Sequence, residues 1–425
     1  MTCELFLYGI TLTIGGAMAW AIGANDVANA MASTVGARIL TITQAIYIAA
    51  IFEALGALLA SGQVANMMRH GIVDVTLFHA HPSLFIAGML SSLLAAATWL
   101  IVATRVGLPV STTHSIIGAI IGFGIVSVGI GHIHWDNLIY IAISWFITPV
   151  AGMVVGALLF IWIRSSIFLS EMPLRSCDFQ VPFFSAAVGA IFGYVVLFEC
   201  IETLDWVIDE QGKWLLLSIV TVLSYICASG YQKMKKSVLT TTEKDIYTEV
   251  EKSFSGLAII TSCGMAFSHG ANDIANAIGP ISAILTTVST KQVATGGQVL
   301  PIWLVCFGAS SIVVGLVSYG YKIMQTVGTK ITQLTPIRGF CIQFSTSVIV
   351  IVASGMGLPV STTQTMVGAV FGVGMVRGMQ AVNTRTISNI FLSWVVTLPA
   401  GALLSMLYYF LFTWGSRYYE NICCW

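Results

Sequence analysis

Charge is what this sequence has least of. Only 8% of its 425 residues are Asp, Glu, Lys or Arg, against roughly 25% in a soluble domain. The charges sum to +0, so no basic patch offers itself to nucleic acid. With 57% hydrophobic residues, the chain has too little polar surface to stay in water as a soluble protein. The nine cysteines form no Cys-x-x-Cys pair, and most sit in apolar runs as small packing residues. P-loop, nucleophile-elbow and His-Glu-x-x-His motifs are all missing, so neither an ATP-driven pump nor an intramembrane protease has a footing. The helix expected from near Glu4 to Gly23 lacks a basic leader and a cleavage site, and is read as retained structure. His79/His81 and His132/His134 stand in loop-like segments without acidic or thiol partners, so no transition-metal site is expected.

What the chain has instead is long apolar runs, near 42–62, 84–104, 137–163, 183–198, 214–230, 302–320, 340–356 and 387–413. Several reach the roughly 20 residues that cross the hydrocarbon core as a helix. Mean hydropathy is +0.90. These features predict an all-α polytopic membrane protein with about ten to twelve crossings. One segment breaks the pattern. Residues 231–252 hold nine charged residues, a quarter of the chain's total. Lys233, Lys235 and Lys236 at its head place it on the cytoplasmic side by the positive-inside rule. A short amphipathic interfacial helix is compatible with the same placement.

An internal repeat organises the rest. GANDVANA, from Gly23, recurs as GANDIANA from Gly270, and LPVSTT, from Leu108, recurs from Leu358. The order is the same in both halves, so the chain is a duplicated unit. The expected division is a first repeat over 1–163, additional scaffold or dimer-forming helices over 164–230, the charged loop 231–252, and a second repeat over 253–425. Paired motifs at corresponding positions are a common plan for secondary transporters, in which the repeats are often inverted.

Each motif suggests a chemistry. Pro109 and Pro359 suit the first turn of a helix, and Gly107 and Gly357 before them allow a sharp change of direction. The leading N–H groups of a helix have no internal partner, and its positive end favours anions. Ser111, Thr112 and Thr113, with Ser361, Thr362 and Thr363, add three hydroxyls to each such end and suit a tetrahedral oxyanion. In the other motif, Asn25, Asp26 and Asn29 are expected on one side of a helix, as are Asn272, Asp273 and Asn276. Gly23 and Gly270 permit a local break there. A buried Asp in an apolar helix is a functional candidate by default, and carboxylate and amide oxygens suit a hard cation such as Na⁺. Neither motif carries Lys or Arg. Phosphate near two Asp residues therefore needs a bound cation to offset the charge, and each ion would favour the other's binding.

The repeated GANDVANA/GANDIANA and GLPVSTT segments resemble the inorganic phosphate transporter family of solute carriers, over both halves. The resemblance implies phosphate import coupled to Na⁺, or in some relatives to H⁺ or as a metal–phosphate complex. It also implies inverted repeats, re-entrant hairpins and a homodimer in the plasma membrane (the inner membrane in a bacterium). Carried over by position, Ser111, Thr112, Thr113, Ser361, Thr362 and Thr363 would hold phosphate, with Asp26 and Asp273 touching it. Asn25, Asp26, Asn272 and Asp273 would hold the cation, and Asn29 and Asn276 are grouped with them by spacing. No cofactor is implied beyond the co-transported ion, and no enzyme activity. The sequence departs from the family pattern in two places. His114 follows the first PVSTT, but its twin is Gln364, and Gln343 stands where many relatives carry Glu. These three, with Glu53 in its apolar helix, are candidates for coupling or gating. His269, whose counterpart is Ile22, is read as a packing histidine. Rival readings are a carrier of sulfate or arsenate and, less favoured, an ion channel.

Overall fold

The computed structural model describes residues 2–106, 110–200, 208–236, 243–296, 300–320, 334–378 and 384–419. These are almost entirely helical. The one extended pairing among them is a bridge between Val73 and Ile133. Among the described residues, nine helices are long and apolar enough to cross a membrane, as a chain with so little charge requires. The fold is that of an all-α polytopic membrane protein.

The second half repeats the element order of the first, except that the fourth helix has no counterpart among its described residues. The first runs α1 (Thr2–Asn25), α2 (Val27–Gly36), α3 (Ile42–Ala60), α4 (Gly62–His70), α5 (Pro82–Arg105), α6 (Thr112–Ser127) and α7 (Trp135–Ile163). An α8–α9 pair (Pro173–Tyr194 and Glu210–Lys236) follows, then the short α10 (Glu243–Ser253). The second half runs α11 (Ser255–Asp273), α12 (Ala275–Thr290), α13 (Ile302–Gly315), α14 (Pro336–Gly355), α15 (Thr362–Arg377) and α16 (Thr384–Tyr419). At 16 residues each, α6 and α15 are too short to span alone. They form the second arms of two helical hairpins, α5–α6 and α14–α15.

The halves interlock. Helix α7 packs along α15 of the other half, and α16 packs along α6. In the same way α3 packs on α11, and α13 on α1. Glycine makes the first pair of contacts possible. A Cβ on Gly118 or Gly122 would overlap the carbonyls of Leu398 and Ala402, and one on Gly368 or Gly372 those of Pro149 and Met153. The glycines after each PVSTT segment therefore serve close helix packing.

Two local expectations change. Gly23 and Gly270 stay helical, and the breaks fall later, at Asp26 between α1 and α2 and after Asp273 between α11 and α12. The two glycines instead admit a neighbouring backbone, because a Cβ there would meet the carbonyls of Ile312 and Glu53. Pro359 lies before its helix and not in the first turn, since Ser361 is the N-cap of α15. Gly357 takes a positive φ of 71° in that turn, as expected of a sharp change of direction. Gly107, Leu108 and Pro109 lie outside the described residues. The charged segment 231–252 is also more ordered than a loop where it is described. It contains the end of α9 and most of α10, with residues 237–242 outside the description. Val250 is buried and Tyr247 stacks on Phe168.

Candidate functional site

Residues 110–113 and 360–363 lie against the two Asn-Asp breaks, and their side chains, like those of Asn25, Asp26, Asn272 and Asp273, are buried. Ser111 and Ser361 are N-caps. Their hydroxyls accept the backbone N–H of His114 and Gln364, each at 3.2 Å. Each serine still has its own hydroxyl proton to donate, and the N–H groups of the two threonines that follow head the helix without intrahelical partners.

The threonines reach the carboxylates in a crossed pattern. Thr363 donates to Asp26 Oδ1 at 3.1 Å, from the opposite half. Thr113 lies 3.4 Å from Asp273 Oδ1, again across the halves, and donates to the Val360 carbonyl at 3.0 Å. Thr362 donates to Asp273 Oδ2 at 2.8 Å, and Thr112 hydrogen-bonds Asp26, both within one half. Each carboxylate thus gathers one threonine from each hairpin.

The asparagines are held through nitrogen only. Asn25 Nδ2 donates to Thr104 at 2.7 Å, and its twin Asn272 donates to Ser354 at 2.9 Å. Asn29 Nδ2 donates to Thr363 at 2.7 Å, while Asn276 donates to Thr113 and to Asp273 Oδ1, both at 3.3 Å. The four amide oxygens, Oδ1 of Asn25, Asn29, Asn272 and Asn276, are buried with no hydrogen-bond partner. An orphaned buried acceptor costs about 1–3 kcal/mol. All four belong to residues within three positions of Asp26 or Asp273 in the chain, and amide and carboxylate oxygens are the ligand type a hard cation takes.

The profile of the Phosphate transporter family matches residues 22–405. The chain belongs to that family. Its relatives include the "Putative phosphate permease" of Haemophilus influenzae, 41% identical over 95% of this chain and 96% of the relative. "Inorganic phosphate transporter 2-1, chloroplastic" of Arabidopsis thaliana is 39% identical over 95% of this chain and 72% of its own length. A solved structure, "The sodium-dependent phosphate transporter", superposes with a TM-score of 0.89 at 38% identity, covering 96% of this chain and 99% of that one. The protein is a multi-pass membrane transporter of phosphate, not an enzyme.

Within this phosphate transporter the remaining candidates divide. Glu53 joins the centre through a residue the sequence reading set aside. Buried His269 has Nδ1 at 2.9 Å from Glu53 Oε1 and Nε2 at 2.9 Å from Asp273 Oδ2. A ligand atom of His269 and one from each of Asp26 and Asp273 lie within 4.8 Å of one another, close enough to hold a metal ion. The signal was present in the sequence, since His269 directly precedes Gly270 and an unexplained Glu53 sat in another apolar helix. His114 and Gln364, the unlike twins, meet each other, with Nε2 to Nε2 at 3.3 Å. The Gln364 amide donates when the imidazole proton is on Nδ1. Gln343 stands apart from the carboxylates. Its Nε2, with two protons, faces three acceptors in α2, the Asn29 and Ala30 carbonyls and Ser33 Oγ, at 2.8–3.1 Å.

One site-lining residue was missed altogether. Trp145 in α7 donates from Nε1 to the Pro359 carbonyl at 3.1 Å, reaching across to the other half's hairpin turn. The signal is a third repeated segment, ISWFITPVAG from Ile143 and LSWVVTLPAG from Leu392.

Proposed function

We propose that this transporter imports inorganic phosphate by symport with a cation, Na⁺ first among them. The observation that carries the reading is the set of four unpartnered amide oxygens around Asp26 and Asp273. Asn25, Asp26, Asn29, Asn272, Asp273 and Asn276 would ligate the cation. Phosphate would lie against Ser111, Thr112, Thr113, Ser361, Thr362 and Thr363, at the positive ends of α6 and α15. The solved relative is a sodium-dependent transporter, which supports the choice of ion.

The electrostatics favour coupling. Ligand atoms of Asp26 and Asp273 lie within 4.8 Å, where two like charges repel by about 3.5 kcal/mol at an effective dielectric near 20. A phosphate anion added to that pair raises the penalty, and a bound cation removes it. Each ion therefore binds better with the other present. We read the halves as an inverted repeat, with 1–163 and 253–425 as its units and 231–252 on the cytoplasmic side of the plasma membrane. The added α8–α9 pair is the face we assign to a homodimer contact.

A second reading is H⁺ coupling, and His269 between Glu53 and Asp273 is what favours it. The deciding experiment is labelled phosphate uptake into proteoliposomes with Na⁺, Li⁺, K⁺ or a pH gradient as the only driving force. Na⁺-driven uptake that the Asp26→Asn plus Asp273→Asn variant loses is the expected result. Uptake driven by the pH gradient alone would replace Na⁺ with H⁺. Uptake that needs no cation gradient would refute the coupling, and sulfate outcompeting phosphate would refute the substrate.

A further inference from the structure

Gln343 lies in the middle of α14, fully buried. Its Nε2 is 3.1 Å from the Asn29 carbonyl, 2.8 Å from the Ala30 carbonyl and 2.8 Å from Ser33 Oγ. A primary amide has two N–H bonds, yet three oxygens converge on this one nitrogen. The amide cannot face the other way, because Oε1 would then point at two carbonyl oxygens. Oε1 itself is buried without a partner.

Carbonyl and hydroxyl oxygens closing on one point are part of the coordination shell of a hard cation. What sits at that point here is the partly positive nitrogen of the protein's own side chain. The place matters, because α2 starts directly after Asp26. Asn29 is shared between the two sites, giving its carbonyl to Gln343 and its amide nitrogen to Thr363 at 2.7 Å.

We propose that the three α2 oxygens form a cation subsite and that the Gln343 amide nitrogen fills it permanently. Residue 343 then sets how many cations accompany each phosphate, and this chain carries one fewer than it would with a carboxylate there. The inference rests on the coupled-transport reading above. A carboxylate at 343 would face two carbonyls and a hydroxyl with no positive charge between them, so it would require an ion, and Na⁺ is the first candidate.

The test is Gln343→Glu in the full chain. Melting of the purified protein is followed against NaCl, at constant ionic strength in choline chloride and without phosphate, at two pH values. The expected result is a saturable, Na⁺-dependent rise in melting temperature beyond that of the wild type. In proteoliposomes, the reversal potential should report one more Na⁺ per phosphate. A variant that transports phosphate with unchanged stoichiometry and no added Na⁺ response overturns the proposal. So does one whose response is to pH alone, since a protonated carboxyl would then be filling the niche. If the Glu variant cannot be recovered in Na⁺, Gln343→Met decides. That variant has no donor, so it should melt lower in choline and be raised by Na⁺, and wild-type behaviour at every Na⁺ concentration overturns the proposal. The melting readout uses no phosphate, so it stands even where uptake fails and the transport reading falls.

Discussion

Thr363→Val should disrupt this protein more than the matching change Thr113→Val, although the two threonines are twins in the repeat. Valine keeps the shape and removes the hydroxyl. At Thr363 the change deletes a bond to a carboxylate at 3.1 Å and takes from Asn29 Nδ2 its partner at 2.7 Å. A hydrogen bond to a charged group contributes about 1.5–3 kcal/mol, and a buried orphaned donor costs about 1–3 kcal/mol more. The sum is about 2.5–6 kcal/mol. At Thr113 the carboxylate lies at 3.4 Å, and Asn276 keeps Asp273 Oδ1 at 3.3 Å as a second acceptor. The bond lost there is the one to the neutral Val360 carbonyl at 3.0 Å, about 0.5–1.5 kcal/mol. The assay is thermal melting in detergent at fixed salt, paired with phosphate uptake, with Thr363→Ser as the control that restores the hydroxyl. Equal losses at the two positions, or a silent Thr363→Val, would refute the reasoning that orphaning Asn29 is the larger effect.

Other perturbations follow from single contacts. His269→Ala removes the group between Glu53 and Asp273 and leaves two buried carboxyls facing each other. Breaking such a pair costs about 3–5 kcal/mol, so uptake and melting temperature should both fall, with His269→Gln falling less. Gly368→Ala drives a Cβ into the Pro149 carbonyl and should cost about 1–3 kcal/mol, while Gly230→Ala, with nothing within 4 Å, should leave melting unchanged or slightly raised. Glu251 in α10 accepts the Ile337 N–H at 3.0 Å. Burial raises its carboxyl above the ordinary range, against the opposing pull of that N–H and of Arg338 and Arg377. The folded state therefore holds the proton more tightly, and this contribution to stability is lost as pH rises from about 4 upward through the raised value. Melting against pH should show that slope, and Glu251→Gln should flatten it.

The sequence was most legible where it repeats. Duplicated motifs in matched order pointed to both hydroxyl-rich turns and both Asn-Asp breaks, and the structure brings all four together. What stayed hidden depends on contacts between distant segments. Nothing local shows that Gly23 and Gly270 serve Ile312 and Glu53, or that Gln343 reaches α2. His269 read as a packing residue because its partner Glu53 lies more than two hundred positions away. Pro359 was misplaced by three residues for a local reason, since Ser361 competes for the cap and a serine hydroxyl is the better partner for a free N–H. The charge of 231–252 announced water, but buried Val250 shows that α10 also has an apolar side.

The interlocking of the halves bears on how the chain is made. Helix α7 is synthesised long before α15, the surface it fits, and α6 waits for α16. A ribosome that has finished the first half has therefore released helices whose glycine-lined faces have no partner yet. Membrane insertion of those helices precedes their assembly, and the assembly step belongs to the last third of the chain. Two separately expressed halves should consequently be inert alone and recover transport when made together in one cell.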